Sequence, residues 1–152
     1  MDIREPEIKR NEILILDDDN FNTHNVCIVT GSGTGIGRAT AVAAAANNLM
    51  TVGLDVNETE GKKTQKMARD MGGQMIFVKT DLCKDADIDH AVAEAAKLGS
   101  IKFVANIAGI QHIDSVDNFP MEKYDYMQKL MLRAPFYLSQ LCLPHIRKSN
   151  DG

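Results

Sequence analysis

Residues 30–37 read Thr-Gly-Ser-Gly-Thr-Gly-Ile-Gly, and this glycine-rich stretch decides the fold. It follows an apolar run, Val26 to Val29, and precedes an alanine-rich run from Ala39 to Ala46. The first run predicts a buried strand and the second a helix. A strand that leads through glycines into a helix presents backbone N–H groups and the positive end of the helix dipole to an anion. We interpret the stretch as a site for the pyrophosphate of a dinucleotide.

Three glycines of this turn have separate expected tasks. Gly31 allows the tight turn, Gly35 lets the backbone approach phosphate oxygens, and Gly37 lets the helix lie close to the sheet. A glycine pattern alone is also compatible with a flexible loop. The strand before it, the helix after it and an acidic residue at the end of the next strand favour the dinucleotide interpretation.

That acidic residue is Asp55, which ends the predicted strand from Thr51 to Leu54. A carboxylate there accepts hydrogen bonds from the ribose hydroxyls of NAD and repels the additional phosphate of NADP. The positions where a basic residue would bind that phosphate hold Thr34 and Val56. NAD is therefore the expected cofactor.

The composition excludes several classes of protein. The chain has 152 residues, of which 44% are hydrophobic, and this is enough for one domain with a sizeable core. A net charge of −4 argues against nucleic acid or an anionic membrane surface as a partner and favours a small soluble substrate. Because the N-terminus is charged and no apolar run is as long as a membrane span, we expect a cytoplasmic protein.

Neither the cysteines nor the histidines are spaced like metal ligands. Cys27, Cys83 and Cys142 form no C-x-x-C pair, which favours small buried thiols in a reducing compartment. The four histidines show no ligand spacing either. We expect no structural or catalytic metal.

The chain divides into a charged N-terminal extension, residues 1–25, and one α/β domain, residues 26–152. The extension carries an apolar run from Ile13 to Leu16. This run is compatible with an edge strand, with a patch against a partner subunit, or with a solvated segment of little order.

From residue 26 the pattern alternates between strand and helix. The predicted strands are 26–30, 50–55, 74–80 and 101–105, and the predicted helices between them are 36–48, 58–71 and 86–98. Alternating elements with short connections indicate a parallel, doubly wound sheet of the Rossmann type. In the strand order of that fold, a chain that stops after four strands leaves the fourth strand at an edge of the sheet.

Polar residues follow the third and fourth predicted strands, at the edge of the sheet where ligands bind. Asp81 is placed where it could accept a hydrogen bond from an adenine amino group. The segment from Asn106 to Gly109 is small and polar, and it is expected beside the nicotinamide ribose. Each of these residues is also typical of an ordinary turn.

A long helix is predicted from residue 121 to residue 148, interrupted or kinked near Pro135 and Pro144. Its apolar side carries Met127, Leu130, Met131, Leu138, Leu141 and Cys142. A methionine-rich stripe at this spacing is typical of a core or of a subunit interface. The second alternative predicts a homo-oligomer that pairs through the 121–148 helix.

With these motifs in this order, the sequence from residue 26 onward resembles the short-chain dehydrogenase/reductase family. The resemblance rests on the glycine turn, on Asp55, on the pair Asp81-Leu82 and on Asn106-x-Ala108-Gly109. It implies an NAD-dependent oxidoreductase that acts on a small molecule. The cofactor contacts that it implies are Gly31, Ser32, Thr34, Gly35, Ile36, Gly37, Asp55, Asp81, Leu82, Asn106, Ala108 and Gly109.

A finer resemblance lies in Gly109-Ile110-Gln111-His112 and in the stretches 119–125 and 143–147. These are similar to members of the family that oxidise a small hydroxy acid, D-3-hydroxybutyrate, to its keto acid. In those proteins the glutamine helps to hold the substrate carboxylate, so the resemblance implies that Gln111 contacts the substrate. The alternative for Gln111 and His112 is a polar loop tip.

Two differences from the family concern catalysis. The family's catalytic Asn aligns with Met131, whose thioether donates no hydrogen bond. The chain ends at Gly152, before the family's catalytic Ser and Tyr-x-x-x-Lys, and none of its tyrosines has a lysine four residues later. We therefore assign no catalytic residue and expect a piece of a longer dehydrogenase. The alternatives are a catalytically inactive NAD-binding module and a half that completes its sheet with another polypeptide.

Overall fold

The computed structural model of the protein describes residues 6–148, which form one parallel four-stranded sheet with helices on both faces. The strand order is β3-β2-β1-β4, as expected, and every neighbouring pair is parallel. The elements in chain order are β1 (Asn25–Thr30), α1 (Gly35–Ala46), β2 (Met50–Asp55), α2 (Glu58–Asp70), β3 (Met75–Lys79), α3 (Asp85–Ala96), β4 (Ser100–Ala105), α4 (Met121–Gln128) and α5 (Ala134–Lys148). The prediction of a Rossmann-type, doubly wound α/β fold is confirmed.

The core lies in two layers because alternate residues of each strand point to opposite faces of the sheet. All of β1 is buried; Val26 and Ile28 pack on one face, whereas Cys27 and Val29 pack on the other. The first layer is closed by α3 and α5, and the second by α1 and α2. A strand covered on both faces reads as a continuous apolar run, which is why the sequence pattern located β1 correctly.

The C-terminal helix has an irregularity directly before Pro135, one of the two places where the prediction put an interruption or a kink. Helix α4 passes through a single π turn, Lys129–Arg133, into α5, and the N–H of Ala134 donates to the carbonyl of Lys129. Proline has no N–H to donate, so the widened turn lies just before Pro135, where a regular helical ladder would be broken in any case. Pro144 lies inside α5. No helix within residues 6–148 is long and apolar enough to cross a membrane.

Only part of the predicted apolar side of this helix is buried. Leu130, Leu138 and Cys142 pack into the core, whereas Met131 is exposed. The π turn changes the angular spacing of the residues around it, and a regular helical period does not anticipate this change.

The described part of the N-terminal extension, residues 6–24, packs against α1 and β4 and forms no strand. The Asn47 side chain, at the end of α1, accepts the N–H of Leu16 at 2.8 Å and donates to the carbonyl of Leu14 at 3.0 Å. Phe21 meets the ring of Phe103 edge to face, with ring centroids 5.5 Å apart. The edge-strand alternative is therefore wrong, since the Asn47 side chain, rather than a neighbouring strand, pairs with this backbone.

Candidate dinucleotide site

A cleft of about 440 Å³ opens at the carboxyl ends of the strands, where the connections to the helices meet. This is the edge at which open parallel sheets bind their ligands. The cleft is lined by Gly31, Thr34, Gly35, Ile36, Gly37, Asp55, Val56, Thr80, Asp81, Leu82, Ile107, Ala108, Gly109, Ile110, Tyr126 and Leu130. The structure thus brings together most of the residues that the motifs identified.

The glycine turn is packed so closely that side chains are excluded from two of its positions. A Cβ on Gly37 would lie 1.9 Å from the carbonyl oxygen of Gly31, so the first turn of α1 rests directly on the end of β1. Gly31 has a φ of +66°, and a Cβ there would lie 2.8 Å from the Cα of Ala108. These contacts fix the floor of the cleft.

Gly35 differs from its neighbours because a Cβ there would meet nothing within 4 Å. It has a φ of +54° and lines the cleft, so its missing side chain leaves room for a ligand rather than for protein. Thr34 precedes α1 without capping it through its side chain, and the first turn carries no acidic residue. The amino end of α1 therefore offers its dipole to an anion in the cleft.

Asp55 is held in place by two backbone amides. Its Oδ2 accepts the N–H of Gly33 at 2.8 Å, and its Oδ1 accepts the N–H of Asn57 at 2.8 Å. A carboxylate has about four acceptor positions, so lone pairs remain on both oxygens for hydroxyl groups in the cleft. A Cβ on Gly33 would lie 2.8 Å from Oδ2 of Asp55, so a side chain there would displace this carboxylate.

Thr30 positions Ile107 and Ala108, which line another wall of the cleft. The motif alone assigned no role to Thr30. Its Oγ1 accepts the N–H of Ile107 at 2.9 Å and that of Ala108 at 3.1 Å, and it donates to the carbonyl of Ala105 at 3.4 Å. Thr30 is buried, and this use of its hydroxyl ties the end of β1 to the loop after β4. The sequence signal that could have identified this role is a threonine directly after the apolar run Val26 to Val29.

Asp81 lines the cleft and also shapes its own turn. Its Oδ1 accepts the N–H of Cys83 at 3.0 Å, and its Oδ2 lies 3.4 Å from Nζ of Lys84. Its own N–H donates to Asp87 at 2.9 Å. Leu82, next in the chain, is buried beneath the cleft wall.

Tyr126 and Leu130 enter the cleft from the C-terminal helix, and sequence reasoning did not identify either as a site residue. They are far along the chain from the glycine turn, so only the tertiary structure brings them there. Burial raises the pKa of Tyr126, and the nearby Cys83 and Asp81 raise it further. Tyr126 is therefore a neutral hydroxyl at physiological pH and not a tyrosinate base.

Several predicted site residues lie outside the lining of the cleft. Ser32 is fully buried; its N–H donates to the carbonyl of Leu54, and its hydroxyl packs over Gly53. Asn106 and Gln111 are exposed beside the lining segment 107–110. Within residues 6–148, no group of three or more His, Cys, Asp and Glu side chains is placed to hold a metal ion.

Met131, for which the family resemblance implies the place of a catalytic Asn, faces the loop after β4. A Cβ on Gly109 would lie 3.4 Å from its sulfur. A thioether, which donates no hydrogen bond, therefore lies next to the cleft wall.

A parallel sheet with a glycine turn at its switch point, and an acidic residue after the second strand, defines the class of dinucleotide-binding α/β proteins. Residues 25–152 match the family described as short chain dehydrogenase, and the chain belongs to this family.

Comparison with individual proteins agrees with this assignment. An uncharacterized oxidoreductase of Thermotoga maritima is 28% identical over 84% of this chain and 50% of its own length. A D-beta-hydroxybutyrate dehydrogenase of Cupriavidus necator is 28% identical over 82% of this chain and 49% of its own. The crystal structure of a hydroxysteroid dehydrogenase from Escherichia coli has a TM-score of 0.80 and 26% identity, covering 88% of this chain and 57% of that one. The chain spans about half the length of the curated relatives it matches.

The packing of the turn predicts different costs for alanine at two of its glycines. Gly37→Ala should lower the free energy of unfolding by more than about 3 kcal/mol, because the methyl group overlaps the backbone of Gly31. Gly35→Ala should cost only about 1–2 kcal/mol, the penalty of a left-handed conformation for a residue with a Cβ. Urea denaturation of the two variants measures both values, and equal losses would contradict the described packing.

Proposed function

We propose that this chain is the NAD-binding part, residues 26–152, of a short-chain oxidoreductase that transfers a hydride between NAD and a small hydroxy acid. The observation that carries the proposal is the carboxylate of Asp55, which two backbone amides hold at the rim of a glycine-lined cleft. The residues fit the cofactor, since the cleft offers a helix amino end for a pyrophosphate and a carboxylate for ribose hydroxyls.

The charge at the rim supports NAD rather than NADP. A phosphate oxygen within 4 Å of the Asp55 carboxylate would cost about 4 kcal/mol per unit charge at an effective dielectric constant of about 20. Thr34 and Val56 line the same part of the cleft, and neither supplies a cation to offset that cost. The remaining contacts proposed for the cofactor are those that the family resemblance implies, with Ser32 acting from below the turn and Asn106 from the exposed rim.

The bound cofactor would accept or donate the hydride, and the residues of this chain would position it. Tyr126 is not suited to act as the base, because Leu130 rather than a lysine lies four residues after it and burial raises its pKa. The Met131 thioether next to Gly109 also cannot take part in a proton relay. This thioether favours the second candidate function, a module that binds NAD without catalysing hydride transfer.

A hydroxy acid, specifically D-3-hydroxybutyrate, is the substrate that we propose. The support is the relative named D-beta-hydroxybutyrate dehydrogenase, together with the position of Gln111 directly after the lining residue Ile110. An amide at this rim can donate a hydrogen bond to a substrate carboxylate without burying a second charge.

We also propose that the protein is a homo-oligomer that pairs through the 121–148 helix. Leu132 is 67% exposed and Phe136 72% exposed, and they lie one turn apart on the face of this helix that points away from the sheet. They line a depression together with Gln128, Lys129 and Arg133.

We propose a reducing, cytoplasmic location as well, which the buried free thiols of Cys27 and Cys142 support.

Asp55→Asn tests the cofactor proposal. The wild-type chain should bind NAD more tightly than NADP, and the amide should reduce this preference at least about tenfold, because it no longer repels a phosphate. Titration calorimetry with both dinucleotides measures the ratio of dissociation constants. Asp70→Asn is the matched control, since it removes one carboxylate at the last residue of α2, where it pairs with Lys66 on the surface, and should leave the ratio unchanged. A wild-type chain that binds neither dinucleotide would overturn the proposal.

Gln111→Ala tests the substrate proposal. The substitution is made in the protein as its own cells produce it. The KM for D-3-hydroxybutyrate should rise about tenfold, because a hydrogen bond to a charged group is lost. Gln140→Ala, an exposed amide on α5, should leave KM unchanged. NAD binding without any oxidation of D-3-hydroxybutyrate would sink the hydroxy-acid proposal, and absence of turnover with every hydroxy acid tested would favour the inactive module.

Phe136→Glu tests the oligomer. Size-exclusion chromatography with light scattering should give a multiple of the 16.7 kDa chain mass for the wild type and a monomer for the variant, since a charge would be buried in the interface. Val116→Glu adds the same charge at an exposed loop position and should not change the mass. A monomeric wild type would refute pairing through this helix.

A further inference from the structure

A closed ring of hydrogen bonds lies behind the glycine turn. The N–H of Gly33 donates to Asp55, and the carbonyl of Gly33 accepts from Nη2 of Arg38. The same Nη2 pairs with Oε2 of Glu60. The N–H of Glu60 donates to the side chain of Asn57 at 3.2 Å, and the N–H of Asn57 returns to Asp55 at 2.8 Å. The ring joins the carboxylate that faces the cleft to a buried cation.

Arg38 is that cation, and its charge is almost completely removed from solvent. It is 2% exposed, and its Nε also donates to Oγ1 of Thr64 at 3.0 Å. A buried guanidinium is tolerated only where an opposite charge and further acceptors satisfy it. Glu60 supplies the opposite charge from the first turn of α2, with 29% of its own side chain exposed.

Glu60 is ionised at physiological pH. The hydrogen bond from Arg38 lowers the pKa of this carboxyl, and the charge of Lys63 lowers it further, against an opposing effect of burial. The Arg38–Glu60 pair is therefore neutral as a whole. Lys63 lies 3.6 Å from Oε2 of Glu60 on the surface, and the Asp55 carboxylate faces the cleft.

The Gly33 peptide is the link between the pair and the cleft. Its N–H orients Asp55 on one side, and its carbonyl is held by Arg38 on the other. The guanidinium thus lies one peptide group away from the carboxylate expected to select the cofactor. If Glu60 lost its charge, the positive charge of Arg38 behind this carboxylate would be less compensated and would attract a phosphate at the ribose.

We propose that Glu60 is a specificity-determining residue: by neutralising Arg38 behind the Gly33 peptide, it keeps the ribose end of the cleft negative and excludes dinucleotides with a 2′-phosphate. The inference rests on the proposed NAD function and assigns part of its selectivity to a residue outside the cleft. Glu60 acts through Arg38 and Gly33, and it is not itself a lining residue.

The test compares Glu60→Gln with Glu58→Gln in calorimetric titrations with NAD and NADP. Both variants remove one negative charge from the first turn of α2, but Glu58 pairs with Lys62 and Lys79 on the surface. Glu60→Gln should reduce the preference for NAD over NADP about tenfold, whereas Glu58→Gln should change it by less than about twofold. Equal ratios for the two variants, or a wild-type ratio for Glu60→Gln, would overturn the inference and leave the NAD proposal standing.

The double variant Arg38→Met/Glu60→Gln provides an independent test. It removes both buried charges, which proteins often tolerate better than the loss of one partner. Without the cation, the preference for NAD should return to the wild-type value, although the side chain of Glu60 is still absent. If the double variant had the same preference for NAD over NADP as Glu60→Gln, Arg38 would not be the intermediary, and the inference would be overturned. Failure of the wild type to bind either dinucleotide would remove the proposed function and this inference together.

Discussion

The contact between Gly37 and the carbonyl of Gly31 is the constraint on which the remaining structure depends. With no Cβ at position 37, the first turn of α1 approaches the end of β1 to a distance that no other residue allows. The direction of α1 follows from this contact, and so does its packing through Ala41 and Ala45 onto the sheet. The backbone of the turn therefore forms the floor of the cleft, and side chains such as Asp55 and Tyr126 line its walls.

Buried polar groups then connect the elements around that turn. Thr30 ties β1 to the loop after β4, Arg38 and Thr64 tie α1 to α2, and Asn47 holds the N-terminal extension against α1. Each of these side chains is buried and hydrogen-bonded to a segment distant in sequence. Such groups are costly unless they are satisfied, so they specify one arrangement of the elements around the apolar core.

The strands of the sheet and the glycine turn could be predicted from the local sequence, since both depend on short-range patterns. The bounds of β2 were predicted without error, and those of the other strands differ by one residue at each end at most. The glycines and Asp55 were identified because strand, turn and acid follow one another at fixed spacing. Tyr126 and Leu130 were missed because they reach the site only through helix packing, for which one sequence carries no pattern. The role of Arg38 was missed because its partner Glu60 lies on another helix. The extension packs through Asn47 and through the contact of Phe21 with Phe103, which composition could not reveal.

The π turn before Pro135 sets the rotational register of the C-terminal helix. Each residue of a helix advances the direction of the following side chains by about 100°. One residue added to a regular segment of the helix would therefore rotate Leu138 and Cys142 about 100° from the sheet. A π turn contains one residue more than an α turn, so it takes up that residue and leaves these two side chains in the core. Removal of one residue from Lys129–Arg133 should accordingly give a regular α turn and keep Leu138 and Cys142 facing the sheet.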